Sequence, residues 1–283
     1  MSEAKFGPAG NSDSFKEKGG TFADVPEYAA DMGLNAFEYQ FGRGVRMKAE
    51  NAAIIKAGCE KFGVEMSAHA PYYISLSSAD EQKRLNSVRY ILESAQAVSA
   101  MGGSRIVVHS GTVGGFSRAE ALALAKDTLA LGIKALDQAG YDKITVCPET
   151  MGKIGQLGSL EEVAELCGVD ERIIPCVDFG HLNARTGGGI KDIDDYAAII
   201  KYIKNSVGEE RLQSFHSHFS KIEYTKGGEK RHLTFSDTLF GPDPIPLLKL
   251  IAKLKLTPRI ICESDGTQAE DAGEMRKVYR SFL

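Results

Sequence analysis

The sequence lacks the features of a secreted or membrane-embedded protein. Its 283 residues contain no uninterrupted run of eighteen apolar residues, the length that marks a candidate membrane-spanning helix. The first ten residues, MSEAKFGPAG, lack a basic stretch followed by an apolar one, which is the pattern of a secretory signal. We therefore expect no membrane association and a cytoplasmic protein.

Cysteine is scarce, and an excess of basic residues is absent. The five cysteines are odd in number, widely spaced and mostly within apolar segments, which favours buried thiols over a disulfide framework. The net charge of −4 argues against a surface that coats nucleic acid over its whole area. Any contact with phosphate is therefore expected to be local.

Short β-rich apolar segments alternate with longer segments of helical periodicity, a pattern that predicts βαβ units around a parallel sheet. Eight such strands predict closure into a (β/α)8 TIM barrel of the α/β class. We expect one domain over residues 1–283, and a monomer. The strands are expected at Lys5–Gly7, Asn35–Gln40, Glu65–His69, Arg105–His109, Ile144–Glu149, Ile173–Asp178, Leu212–His218 and Arg259–Glu263.

Between these strands, apolar residues recur three and four positions apart, as in amphipathic helices that cover a barrel. Such helices are expected at Lys48–Phe62, Asp80–Met101, Arg118–Gln138, Ser159–Cys167 and Ile193–Val207.

Side chains that can bind a metal lie at the predicted strand ends. Four of the six histidines are at such an end or one turn beyond it, and Glu149, Asp178 and Glu263 each close an apolar segment. In a parallel barrel these ends share one face, where active sites lie. Imidazole and carboxylate donors favour zinc or manganese over calcium. One such residue alone is more often a satisfied polar group, but the set predicts a multinuclear metal site.

The segment HSH leaves two interpretations open. His216 and His218 are two residues apart, so on a strand they face the same side. His218 is either a ligand or a residue that contacts a ligand or a phosphate. Cys147 and Cys176 lie two residues before the carboxylates that follow them, and we interpret them as small core residues rather than ligands.

Several motifs together resemble the endonuclease IV family of apurinic/apyrimidinic endonucleases, within the xylose-isomerase-like TIM barrels. They are SAHAPYYISL at His69, VVHSG at His109, PETMGKIGQLG at Glu149, CVDFGHLNA at Asp178 and His181, the spacing of His216 to Lys221, RH at Arg231–His232 and ICE at Glu263. Their order and spacing match over almost the whole barrel. The resemblance implies a zinc-dependent enzyme that cuts damaged double-stranded DNA 5′ to an abasic site in base excision repair.

The resemblance also implies ligands for two or three zinc ions, with manganese as an alternative. One ion would be held by His69, His109 and Glu149. A second would be held by Glu149, Asp178, His216 and Glu263, and a third by His181 and His232. Glu149, which bridges two ions in this scheme, is the residue expected to matter most for catalysis.

The chain departs from the family at its third ion and at the DNA. Lys230 stands where the family has an aspartate ligand, so either Glu229 or His218 replaces it or the third ion binds weakly. Tyr72 matches a residue that the family inserts at the DNA, but Phe37 stands at the position of its usual arginine partner. Arg43 and Arg46 are nearby candidates for phosphate contact, and the alternative is that their basic loop is only a solvated edge.

Two enzymatic functions compete, and a third possibility is a metal-binding module without activity. A phosphodiesterase would use the whole set of ligands, whereas a barrel of the sugar isomerase or epimerase kind needs one or two ions held by Glu, Asp and His. Because one fold supports many chemistries, the fold cannot decide between them.

Overall fold

The computed structural model of the protein describes residues 3–283. Its strands are β1 (Lys5–Pro8), β2 (Ala36–Gln40), β3 (Glu65–His69), β4 (Arg105–Val108), β5 (Thr145–Pro148), β6 (Cys176–Asp178), β7 (His216–Phe219), β8 (Lys221–Thr225), β9 (Gly228–Leu233) and β10 (Arg259–Cys262). Its helices are α1 (Asp13–Glu17), α2 (Val25–Asp31), α3 (Ala49–Phe62), α4 (Glu81–Ala100), α5 (Arg118–Gln138), α6 (Leu160–Leu166), α7 (Phe179–Arg185), α8 (Ile193–Val207), α9 (Glu209–Gln213), α10 (Pro244–Leu254) and α11 (Gln268–Arg280).

Eight of the strands form a closed parallel barrel. Four pair in the order β2, β3, β4, β5, and the other four in the order β6, β7, β10, β1. The two halves meet at the Ala9–Glu38 bridge on one side and the Glu149–Cys176 bridge on the other. The predicted (β/α)8 barrel is therefore confirmed.

The predicted outer helices lie within one residue of the observed ones, because their starts carry strong local signals. Helices α5, α6 and α8 each begin with a capping box, in which a Ser or Asp side chain and an acidic side chain three residues later satisfy each other's backbone N–H groups. The apolar faces of these helices pack against the outer side of the barrel strands in one continuous core.

Two strands begin three or more residues later than predicted. β6 begins at Cys176, directly after Pro175, whose ring nitrogen has no hydrogen to donate to a neighbouring strand. β7 begins at His216, because Leu212 belongs to the short helix α9. Both strands still end where the histidines and carboxylates of the predicted site begin.

The β8–β9 hairpin was not predicted, and it lies over the carboxyl ends of the strands. Its turn is fixed to the loop after β5, where Glu229 N donates to Gly152 O at 3.1 Å and Lys153 pairs with Gly228. Gly228 has a φ of +91°, and a Cβ there would lie 2.2 Å from Gly152 O. A residue with a side chain at position 228 would therefore push the hairpin away from the barrel.

Within residues 3–283, none of the helices combines the length and apolar character needed to cross a lipid bilayer.

Candidate metal centre

The ends of β3, β4 and β5 bring His69, His109 and Glu149 together. Glu149 Oε2 lies 3.3 Å from His69 Nε2 and 3.1 Å from His109 Nε2. Nδ1 of His69 donates to Ala70 O at 2.8 Å, so Nε2 of the neutral ring carries the lone pair. Such a backbone contact is the usual way in which a metal-binding histidine is oriented.

A second cluster shares Glu149 and is formed by four donors: Glu149, Asp178, His218 and Glu263. His218 Nδ1 lies 2.9 Å from Glu149 Oε1 and 3.5 Å from Glu263 Oε1. Asp178 is fully buried, and its Oδ2 has no hydrogen-bond partner among the described residues. A buried carboxylate oxygen without a donor fits a position occupied by a cation.

The structure differs from expectation at this cluster, because His218 rather than His216 faces Glu149. In the pairing of β6 with β7, Asp178 is opposite His218, and Cys176 is opposite His216. His216 therefore lies two residues lower on the strand. Its Nε2 is 2.9 Å from Glu38 Oε2, inside the barrel.

A third cluster joins α7 to the hairpin. His181 follows Asp178 by three residues because Asp178 caps α7, accepting a 2.7 Å hydrogen bond from His181 N. His181 Nδ1 donates to Thr150 O at 2.9 Å, which leaves Nε2 facing Glu229 Oε2 at 3.4 Å. His232 Nε2 lies 3.9 Å from Glu229 Oε1, and His181, His232 and Glu263 also form a compact group of donors.

A β-bulge explains why Glu229 takes the place expected of residue 230. Glu223 pairs with Arg231 and Tyr224 pairs with Glu229, so Lys230 is an extra residue on β9. The bulge turns Glu229 toward His181, whereas Lys230 is exposed at the barrel mouth and binds Glu223 Oε1 at 2.5 Å. Extra residues of this kind commonly redirect a side chain near an active site.

Burial and neighbouring charges shift the pKa values of these groups in both directions. Burial opposes ionisation of Glu149, but the charge of His218 and the hydrogen bonds of His109 and His181 outweigh it and hold its pKa well below the usual range. Burial raises the pKa of Asp178 to about 6 and lowers the pKa of His109. Burial also lowers the pKa of His181 and His218, but nearby anionic groups outweigh it and raise both. An anionic Glu149 and a neutral His109 are the protonation states that metal ligands require. The residues fit a cluster of divalent ions with nitrogen and oxygen donors.

The centre lies at the bottom of a cavity of about 730 Å³. Tyr72 lines this cavity with 62% of its surface exposed, and its ring centroid is 6.0 Å from that of His109. Lys153 and Arg231 also line it, although sequence reasoning did not select them. Arg43 and Arg46 lie on the loop after β2, outside the lining of the cavity.

The loop after β5, which carries Lys153, is fixed by two arginines. Arg118 binds Glu162 through two bonds of 2.7 Å and also donates to Ile154 O and Gln156 O. Arg185 donates to Lys153 O at 2.8 Å. A loop held in this way presents its side chains to the cavity in a defined position.

The profile of the xylose isomerase-like TIM barrel family matches residues 26–282. The chain belongs to this family. An uncharacterised protein of Methanocaldococcus jannaschii is 34% identical over 258 residues, which cover 89% of each chain. A probable endonuclease 4 of Acholeplasma laidlawii is 30% identical over 227 residues, 76% of this chain and 72% of the relative. The resemblance to the endonuclease IV family is confirmed.

Solved structures show the same fold with different activities. Endonuclease IV from Thermus thermophilus has a TM-score of 0.70 at 18% identity, covering 99% of this chain and 98% of its own. A D-tagatose 3-epimerase-like protein has a TM-score of 0.69 at 19% identity, covering 99% and 97%. At these identities the likeness establishes the fold alone, so the function has to be argued from the side chains.

Proposed function

We propose that the protein is a metal-dependent phosphodiesterase that cleaves DNA 5′ to abasic sites, with zinc as its resident ion. The proposal is supported by the confirmed family resemblance and by the three donor clusters around Glu149. Zinc is favoured over calcium because imidazole nitrogens contribute to every cluster.

The observation that carries the proposal is the third cluster. Hydrogen transfer on a small sugar needs one or two ions, and the cluster of Glu149, Asp178, His218 and Glu263 would be enough for it. His181 and His232 add imidazole donors, and the bulge adds Glu229. A phosphodiester has charge to be offset at both the attacked phosphate and the leaving oxygen, and multinuclear centres are suited to this task.

The residues divide the task by position. His69, His109 and Glu149 would hold one ion, Glu149, Asp178, His218 and Glu263 a second, and His181, His232 and Glu229 a third. Divalent ions held there would supply Lewis acidity and positive charge to a phosphodiester. Glu149 lies within 3.4 Å of four imidazole rings, so its carboxylate fixes the relative positions of the three clusters.

The rim of the cavity offers contacts suited to damaged DNA. Lys153 and Arg231 would bind backbone phosphates, and Tyr72 would stack against the nucleotide next to the lesion. A nucleotide without its base costs less to turn out of the duplex than a paired one. The cavity beneath Tyr72 would therefore select an abasic sugar, and positive charge confined to the rim accounts for DNA binding by an acidic chain.

Epimerisation or isomerisation of a small sugar is the second candidate. It is favoured by the completeness of the second cluster, which contains the Glu, Asp, His and Glu donors that such chemistry uses. The structural likeness to an epimerase-like barrel agrees with this candidate but does not distinguish it from the first.

The two candidates separate in one pair of assays. Purified protein is incubated with a labelled duplex that contains one abasic-site analogue, with an undamaged duplex as the control, before and after chelation and zinc replacement. The same samples are tested for epimerisation of ketohexoses. Chelator-sensitive cutting of only the damaged duplex supports the phosphodiesterase, whereas sugar conversion without cutting supports the second candidate.

A further inference from the structure

A second group of metal-type donors lies inside the barrel, beneath the centre described above. Glu38 of β2, Cys176 of β6, and His216 and His218 of β7 are all fully buried. They come from strands on both halves of the barrel and meet at its axis. With the exception of His218, the proposed function assigns these side chains no role.

The donor atoms of this group lie close together. One donor atom each of Cys176, His216 and His218 lies within 4.8 Å of the other two. Glu38 faces both rings, with Oε2 2.9 Å from His216 Nε2 and Oε1 2.9 Å from His218 Nε2. Nitrogen and oxygen ligands of a tetrahedral zinc ion are about 3.3 Å apart at normal bond lengths. Small side-chain shifts would therefore accommodate an ion.

Several polar atoms of this group have no hydrogen bond. Both ring nitrogens of His216, and Nε2 of His218, find no hydrogen-bond partner in the part of the chain that the structure describes. Glu38 lies 2.9 Å from Nε2 of each ring, so a charged contact with Glu38 is the competing arrangement for these two nitrogens, but Nδ1 of His216 has no partner of either kind among the described residues. Buried polar atoms are nearly always paired, and coordination of an ion is one of the few explanations for an exception.

We propose that Cys176, His216 and His218, with Glu38 beside both rings, bind a buried divalent ion, zinc by preference, at a site beneath the mouth clusters that shares His218 with one of them. One sulfur, two imidazole nitrogens and one carboxylate oxygen make a closed four-coordinate set. A thiolate and a carboxylate balance the charge of the ion, so the filled site does not leave a net charge in the dry interior. The site is independent of which reaction the mouth of the barrel catalyses.

The shared ring of His218 connects this site to the mouth. Its Nδ1 faces Glu149 in the upper centre, while its Nε2 faces Glu38 below. Were ions held on both sides, each ring nitrogen of His218 would face one of them, so the two sites would share this ring. The lower ion, which lies under the upper centre, would exchange more slowly with a chelator.

The test uses the sulfur ligand, because the clusters at the mouth contain only nitrogen and oxygen donors among the described residues. The full chain is produced in cells grown with cobalt in place of zinc, and its absorption is recorded. A thiolate bound to Co²⁺ gives a charge-transfer band in the near ultraviolet. The variants are Cys176→Ser and, as the matched control, Cys147→Ser, which changes another fully buried cysteine of the same small core cluster.

We expect the band in the wild type and in Cys147→Ser. In Cys176→Ser we expect the band to disappear and the metal content to fall by one ion per chain. A wild-type protein without the band overturns the proposal, as does a band that survives Cys176→Ser. If Cys176→Ser fails to fold, zinc-edge X-ray absorption of the wild type decides instead. A sulfur neighbour at about 2.3 Å supports the site, and scattering by nitrogen and oxygen alone contradicts it.

Discussion

The replacement Glu229→Gln tests the part of the centre in which this chain departs from its family. Gln keeps the volume and one oxygen of the side chain but removes its charge. Glu229 faces both His181 and His232, at 3.4 and 3.9 Å, and it is inward only because Lys230 forms a bulge. The variant should therefore lower the affinity of the third cluster for its ion and leave metal binding at the other two clusters unchanged.

The size of the effect follows from the number of donors at each cluster. Hydrogen-bond partners of metal ligands are worth about 10- to 100-fold in metal affinity, and a direct anionic ligand contributes more. Glu263 is the other carboxylate near His232, and it also faces His218, so it replaces Glu229 only in part. We expect the affinity of this site for zinc to fall by at least about 100-fold, which corresponds to about 2.7 kcal/mol.

The assay is equilibrium dialysis against a series of buffered zinc concentrations, followed by metal counting per chain. Lys230→Ala is the matched control, because Lys230 is the neighbouring residue, is half exposed and pairs with Glu223 rather than with a proposed ligand. Glu229→Gln should need a higher free zinc concentration than Lys230→Ala to retain one of its ions. Equal zinc binding by Glu229→Gln and the wild type would refute the assignment of Glu229 as a ligand.

Three further predictions concern activity, DNA binding and stability. Glu149→Gln should abolish activity with an unchanged circular dichroism spectrum, because charge is removed from the middle of three clusters without loss of volume; full activity with full metal content would contradict this role. Reversal of Arg43 and Arg46 to Glu should weaken binding to abasic DNA. The slope of log affinity against log salt concentration should fall by about 0.9 for each phosphate that is no longer neutralised, or up to about 1.8 for both, as measured by titration at several salt concentrations. An unchanged slope would make this loop a solvated edge. Burial opposes ionisation of Glu162, but hydrogen bonds from Arg118 and from backbone N–H groups outweigh it and lower its pKa. The ionised Glu162 therefore contributes its full share to the free energy of unfolding above the ordinary pKa of 4.5. This contribution declines as the pH falls through the folded-state pKa. Urea unfolding should therefore show a larger cost of Glu162→Gln at pH 7 than at pH 3, and an equal cost at both would rule out the ionised pair as the cause.

Much of the fold was predictable because its signals are local. Capping boxes, apolar periodicity and polar residues at strand ends each act within a few residues, and the parallel topology then brings His69, His109 and Glu149 to one face. The outcome at β7 depended on register, which periodicity does not determine. A spacing of two established that His216 and His218 share a side, but only the pairing with β6 shows that His218 lies level with Asp178.

The hairpin and Glu38 were missed for different reasons. The bulge at Lys230 depends on how β9 pairs with β8, so the sequence spacing alone left both Glu229 and His218 as candidates to replace the missing aspartate. Glu38 did carry a signal, namely a charged residue between Phe37 and Tyr39 in the middle of a strand. A carboxylate in such a position is either exposed or paired inside the barrel, and here it is paired with two histidines of β7.

The measurement that tests the central claim most directly is the chemistry of the cut ends. A duplex with one abasic-site analogue is labelled on the damaged strand, incubated with the zinc-loaded protein, and the fragment on the 5′ side of the lesion is isolated. If the three clusters act on the phosphodiester 5′ to the lesion, this fragment carries a 3′ hydroxyl that a DNA polymerase extends, and chelation prevents its formation. A cut on the 3′ side of the lesion, or an intact strand after incubation with fully loaded protein, would contradict the proposed phosphodiesterase.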